Sequence, residues 1–67
     1  MEYIVNKNAQ ENGDQEVHED GCSYMPDWKN RKPLGDFTNC HDALIEAKKY
    51  DSDADGCYYC SRECHTS

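Results

Sequence analysis

The sequence predicts a small α+β domain, and three features carry that prediction. Residues 40–50 hold one helical stripe. Short strand-like segments precede it. Five cysteines and three histidines stand in a chain that is too polar to fold on a core alone. The 67 residues, 1–67, make one domain. Chains this short rarely gain more than ~3–5 kcal/mol from a hydrophobic core. With 36% hydrophobic residues and a mean hydropathy of -1.15, this one needs a staple to escape disorder.

Taken in order, Tyr3-Ile4-Val5 is a strand signal and Asn12-Gly13-Asp14 a turn signal, because Asn-Gly tolerates positive φ. Gln15-Glu16-Val17-His18 returns as a second strand, so residues 2–18 are predicted as an N-terminal β-hairpin. Pro26 and Pro33 bracket a polar loop, and Leu34-Gly35-Asp36-Phe37 reads as a short third strand. Thr38 or Asn39 caps the helix at 40–50, with Asp42 in its first turn and Lys48 and Lys49 at its end, where the helix dipole favours them. Cys40, Ala43, Leu44, Ala47 and Tyr50 form its buried stripe. Asp51–Gly56 is expected as a polar loop, and Cys57-Tyr58-Tyr59-Cys60 as a tight C-x-x-C knuckle.

The staple is either disulfides or a metal. The opening residues show neither the basic nor the apolar region of a signal peptide, so a cytoplasmic location is expected, and disulfides are rare there. An odd number of cysteines also leaves one unpaired. A metal is therefore the expected staple. His18-x-x-x-Cys22 and Cys57-x-x-Cys60 are two short chelating pairs on either side of the helix, and three thiolates with one imidazole make a closed tetrahedral zinc set. One structural Zn2+ held by His18, Cys22, Cys57 and Cys60 is the expectation, although tetrahedral thiolate sites also take iron. Cys64 or His65 competes with His18 for the fourth position. Cys40 is expected as a buried small hydrophobe, and His41 as a solvent-facing residue of the first helical turn.

The order His18-x-x-x-Cys22, Leu34-Gly35-x-Phe37, a helix carrying Ala43, then Cys57-x-x-Cys60 resembles the metal-binding domain of the Ada-type DNA-repair methyltransferases over residues 15–61. The resemblance implies a small α/β zinc module with the same four ligands. It does not extend to repair. In that family the first ligand thiolate accepts a methyl group from a DNA phosphotriester, and here His18 holds that position. The whole chain also resembles a family of small bacterial proteins, which implies no function.

The net charge of -7 disfavours binding to nucleic-acid phosphates, and no apolar run approaches the length of a membrane span. The basic loop with Trp28, Lys29, Arg31 and Lys32 is too small to reverse that. Asp51-x-Asp53-x-Asp55-Gly56 begins like a calcium loop, but its twelfth position is Arg62 where a bidentate Glu is needed. Cys40-His41 and Cys64-His65 are sequence neighbours without an orienting third group, so no enzyme is expected. Two functions fit the sequence. One is a zinc-stabilised module presenting Tyr24, Trp28, Tyr58 and Tyr59 to a protein partner. The alternative is an acidic mimic of nucleic acid that blocks a DNA-binding protein, using Glu11, Asp14, Glu16, Glu19 and Asp20 with Asp51, Asp53 and Asp55.

Overall fold

Tyr3 and Val5 alternate with more exposed neighbours, and that period of two buries both of them in strand β1 (Glu2–Asn6). The computed structural model describes residues 1–8 and 15–65. Among them β1 is joined by β2 (Gln15–Glu19), β3 (Arg31–Asp36) and β4 (Ala54–Gly56) in the order β3-β1-β2-β4. One α-helix, α1 (Cys40–Lys48), and two single 3-10 turns, Trp28–Asn30 and Arg62–Cys64, complete the fold. The expected α+β class with one helix is borne out. The turn residues Asn12-Gly13-Asp14 and the acids Glu11 and Asp14 lie outside the described residues.

β1 and β2 pair antiparallel with Ile4 opposite His18 and Val5 opposite Val17. β3 is antiparallel to β1 and forms one edge of the sheet, the kind of strand to which proline is confined. The register slips between Tyr3, opposite Gly35, and Ile4, opposite Pro33, leaving Leu34 as the extra residue. Gly35 has φ +119°, a conformation that glycine adopts at such a bulge without steric cost.

Helix α1 starts as its sequence dictates. Asn39 is extended, and its side chain accepts a bond from the Asp42 amide at 2.9 Å. Cys40, Ala43 and Ala47 are buried against the sheet, with Leu44 packed beside them. The helix ends at Lys48, two residues short of the expected boundary. The last turn tightens, with the Tyr50 and Asp51 amides both donating to the Ala47 carbonyl. Tyr50 is thereby turned out of the stripe and is 62% exposed, under the Lys32 ammonium at 4.4 Å from its ring centre.

Two further expectations are corrected. The polar run Asp51–Gly56 is not all loop. Ala54, Asp55 and Gly56 form β4, parallel to β2, with Val17 opposite Gly56. Burial drives this, because all three residues are inside the fold. Asp55 lies within 3.5 Å of the His65 imidazole and belongs to neither a calcium loop nor an acidic surface. Cys40 and Cys64 are buried as core residues, but they are joined as a disulfide. That bond ties the start of α1 to the C-terminal 3-10 turn and takes Cys64 out of the competition for the metal.

Candidate metal centre

The C-terminal ends of the parallel strands β2 and β4 meet at one corner of the sheet. His18 lies within β2 and is fully buried. After Glu19 the chain turns through Gly21, at φ +89°, and the Cys22 amide donates to the Glu19 carbonyl at 3.1 Å. Cys57 follows β4 directly, and its amide donates to the Val17 carbonyl at 2.9 Å, one step beyond the β2–β4 pairing. The Ser61 amide donates to the Cys57 carbonyl at 2.9 Å, which folds Cys60 back beside Cys57.

These four residues are brought together. One ligand atom from each of His18, Cys22, Cys57 and Cys60 lies within 4.8 Å of the other three. Cys22 Sγ is 3.9 Å from Cys57 Sγ, and Cys60 Sγ is 3.9 Å from His18 Nδ1. Two thiolates each ~2.3 Å from a tetrahedral zinc stand about 3.8 Å apart, so the cluster can hold a metal ion with little rearrangement.

Each sulfur also faces a backbone amide. The Tyr24 amide donates to Cys22 Sγ at 3.4 Å, the Tyr59 amide to Cys57 Sγ at 3.4 Å, and the Glu19 amide to Cys60 Sγ at 3.2 Å. Such donors favour thiolate over thiol. Burial opposes them. It pushes the Cys57 thiol up and the Cys60 thiol up to about 12. Without a cation these thiols keep their protons at neutral pH, so a divalent ion would bind by displacing them. Burial, with Arg31 as a lesser cause, holds the His18 imidazole below its usual range and keeps it neutral, the form that ligates.

His18 Nδ1 faces the sulfurs. Its Nε2 is buried, makes no hydrogen bond among the described residues, and lies 3.8 Å from Glu16 Oε1. At 3.8 Å the Glu16 carboxylate makes no hydrogen bond to the ring and favours a cation on the far side of the imidazole through its charge. If the site holds zinc, Glu16→Gln is expected to weaken binding by no more than about 10-fold, the low end of the ~10–100-fold range for hydrogen-bonded outer partners. Competition against a chelator of known affinity measures this. An unchanged constant would show that Glu16 does not support His18.

The residues that the sequence left competing with His18 lie elsewhere. His65 Nδ1 is 3.0 Å from the Gly56 carbonyl, and since a carbonyl can only accept, the ring donates there. Cys64 is in the disulfide and His41 is exposed on α1. Glu16 and the Glu19 amide were missed, the latter because it comes to Cys60 from a strand 41 residues away. The Tyr24 and Tyr59 amides follow from local turn geometry, that of Tyr59 as expected of a C-x-x-C knuckle. Glu16 could have been found from its place two residues before His18, on the same face of a strand.

A cleft of about 260 Å³ opens on Cys22 and Cys60 between Glu19, Asp20, Tyr24 and Tyr59. Tyr24 and Tyr59 stack at 3.9 Å, and Tyr58 meets Tyr59 edge-on at 5.2 Å. Trp28 is 81% exposed in its own 3-10 turn. The basic loop is largely engaged in the fold, with Arg31 Nε donating to the Pro26 carbonyl at 2.8 Å and Lys32 over Tyr50. No helix among the described residues is long and apolar enough to cross a membrane. No family model, curated protein or solved structure matches this chain.

Proposed function

We propose that this chain is a structural-zinc protein of the cytoplasm, with His18, Cys22, Cys57 and Cys60 as the ligands of one Zn2+, and that it acts as a protein-interaction module rather than an enzyme. The observation that carries the metal reading is the convergence of three sulfurs and one imidazole nitrogen within 4.8 Å, each sulfur with its own amide donor. A fully ligated Cys3His ion has no open position for substrate, and this is the arrangement of structural rather than catalytic zinc. The Cys57–Cys60 turn then acts as a zinc knuckle that holds the Tyr58 and Tyr59 rings at the surface beside Tyr24. Stiff aromatic side chains of this kind anchor protein interfaces. The likeness to Ada-type metal-binding domains is part of the same proposal, without methyl transfer, because His18 replaces the accepting thiolate. The acidic-mimic alternative is weaker with Asp55 buried in β4.

Native mass spectrometry with metal analysis tests the site. One zinc per chain is expected, with cobalt substitution giving the intense thiolate-to-metal absorption of three sulfur ligands. A chain that carries no metal when purified in zinc, and takes up no cobalt, would refute it. Loss of partner binding on replacing Tyr59 with Ala, with the zinc retained, would support the module.

A further inference from the structure

A second set of donors lies at the junction of α1 and the C-terminal 3-10 turn. Ligand atoms of Cys40, His41 and Cys64 are all within 4.8 Å of one another, and Glu63 Oε1 is 3.7 Å from Cys40 Sγ. Glu63 stands outside that three-residue group and approaches it at Cys40; with its carboxylate turned inward, two sulfurs, one imidazole and one carboxylate would complete a tetrahedral zinc set. In the disulfide the sulfurs are uncharged and bonded to each other, so they are not available as thiolate ligands. Cytoplasmic thiols are kept reduced, and the bond between Cys40 and Cys64 would not persist there without protection.

We propose that reduction of the Cys40–Cys64 disulfide creates a second zinc site, with Cys40, His41, Glu63 and Cys64 as ligands. In the first step a dithiol reductant gives up two electrons and two protons. The S–S bond breaks, the two cysteines become thiols, and the reductant becomes a disulfide. In the second step Zn2+ displaces both thiol protons to solvent and forms two Zn–S bonds, while neutral His41 and the Glu63 carboxylate each donate a lone pair. Cys40 is the first residue of α1, where the helix dipole favours thiolate. The two sulfurs move apart only to the ~3.8 Å edge of a tetrahedron, so the start of α1 stays tied to the C-terminal turn in either state. The sulfurs are buried and the other two ligands reach them from the exposed side, which gives the ion a path in and out. Reversal of the same thiol–disulfide exchange closes the bond and releases the ion.

This inference is separate from the first site, and one experiment distinguishes them. Zinc and cobalt are titrated into the full chain with the disulfide intact, and again after reduction with a phosphine, which competes less for zinc than a thiol does. The expected result is one tightly bound metal before reduction and two after it. His41→Ala and Glu63→Gln, both changes at the surface, are expected to lower the affinity for the second metal at least 10-fold and about 3-fold, without touching the first. One metal in both redox states would overturn the proposal, as would a second metal whose affinity neither substitution changes. No metal before reduction and one after it, weakened by His41→Ala, would refute the first site and support the second.

Discussion

If zinc is the staple, as proposed, its chelation is expected to unfold this protein even with the disulfide intact. Among the described residues the buried core consists of Tyr3, Val5 and Val17 with three alanines and the Cys40–Cys64 pair, and no Leu, Ile, Phe or Trp is buried. A core of that kind falls at the low end of what a small domain can supply, ~3–5 kcal/mol. Structural zinc contributes an apparent ~10–16 kcal/mol in comparable domains. The disulfide closes a loop from Cys40 to Cys64 with a sequence separation of 24, worth about 3–4 kcal/mol through the unfolded state. It does nothing for residues 1–39, which hold His18 and Cys22 and are tied to the C-terminal part by the sheet and, on the proposed reading, by the ion. Removing the metal also leaves an imidazole and two raised thiols buried beside one another. The expected outcome on adding a strong chelator is collapse of amide dispersion in the NMR spectrum and loss of a cooperative thermal transition. Return of zinc should restore both. A well-dispersed spectrum after complete metal removal would mean that packing and the disulfide suffice, and would end the reading of the ion as the staple.

The parity of the cysteines has its explanation in the same arrangement. Five cysteines divide into one disulfide pair and three free thiols that gather with His18. The odd count argues against a framework made wholly of disulfides, and that much is legible from sequence. The division is not, because Cys40 and Cys64 meet only after α1 has packed on the sheet. The features that sequence exposes are those written within a few residues. Asn39 with Asp42 marks the start of α1, Ala43 and Ala47 mark its buried side, and the spacings His18-x-x-x-Cys22 and Cys57-x-x-Cys60 mark two chelating pairs. What it hides is non-local. β4 is built from Ala54, Asp55 and Gly56, none with strand propensity, and it exists because β2 offers an edge and the C-terminal turn covers it. Tyr50 fits the helical period, but the tightened last turn removes it from the stripe.

That covering turn explains the second large effect, expected from Gly56→Ala. Gly56 ends β4 and precedes Cys57. A Cβ there would lie 2.7 Å from Cys64 Cβ, 2.7 Å from the Ser61 carbonyl oxygen and 2.8 Å from the Cys64 carbonyl carbon. Two of these atoms are backbone and the third is held in a disulfide, so none can swing aside as a flexible side chain would. The Arg62–Cys64 turn must lift from β4, and the Cys57 amide bond to Val17 is strained with it. The cost belongs at the upper end of the overpacking range, about 3 kcal/mol. At ~4–8 °C per kcal/mol in a domain of this size, the zinc-loaded protein should melt about 12–24 °C lower. Gly21→Ala is the natural comparison, because Gly21 adjoins Cys22 just as Gly56 adjoins Cys57. Its φ of +89° is strained for alanine, but nothing lies within 4 Å of the added methyl group. The expected cost there is about 1–2 kcal/mol of backbone strain alone. Calorimetry of the two variants, each loaded with zinc, separates packing from backbone strain beside equivalent ligands. If Gly56→Ala loses no more than Gly21→Ala, the C-terminal turn does not close on β4 as described. The covering that makes a strand of Ala54–Gly56, and sets Cys57 beside His18, would then have to come from elsewhere.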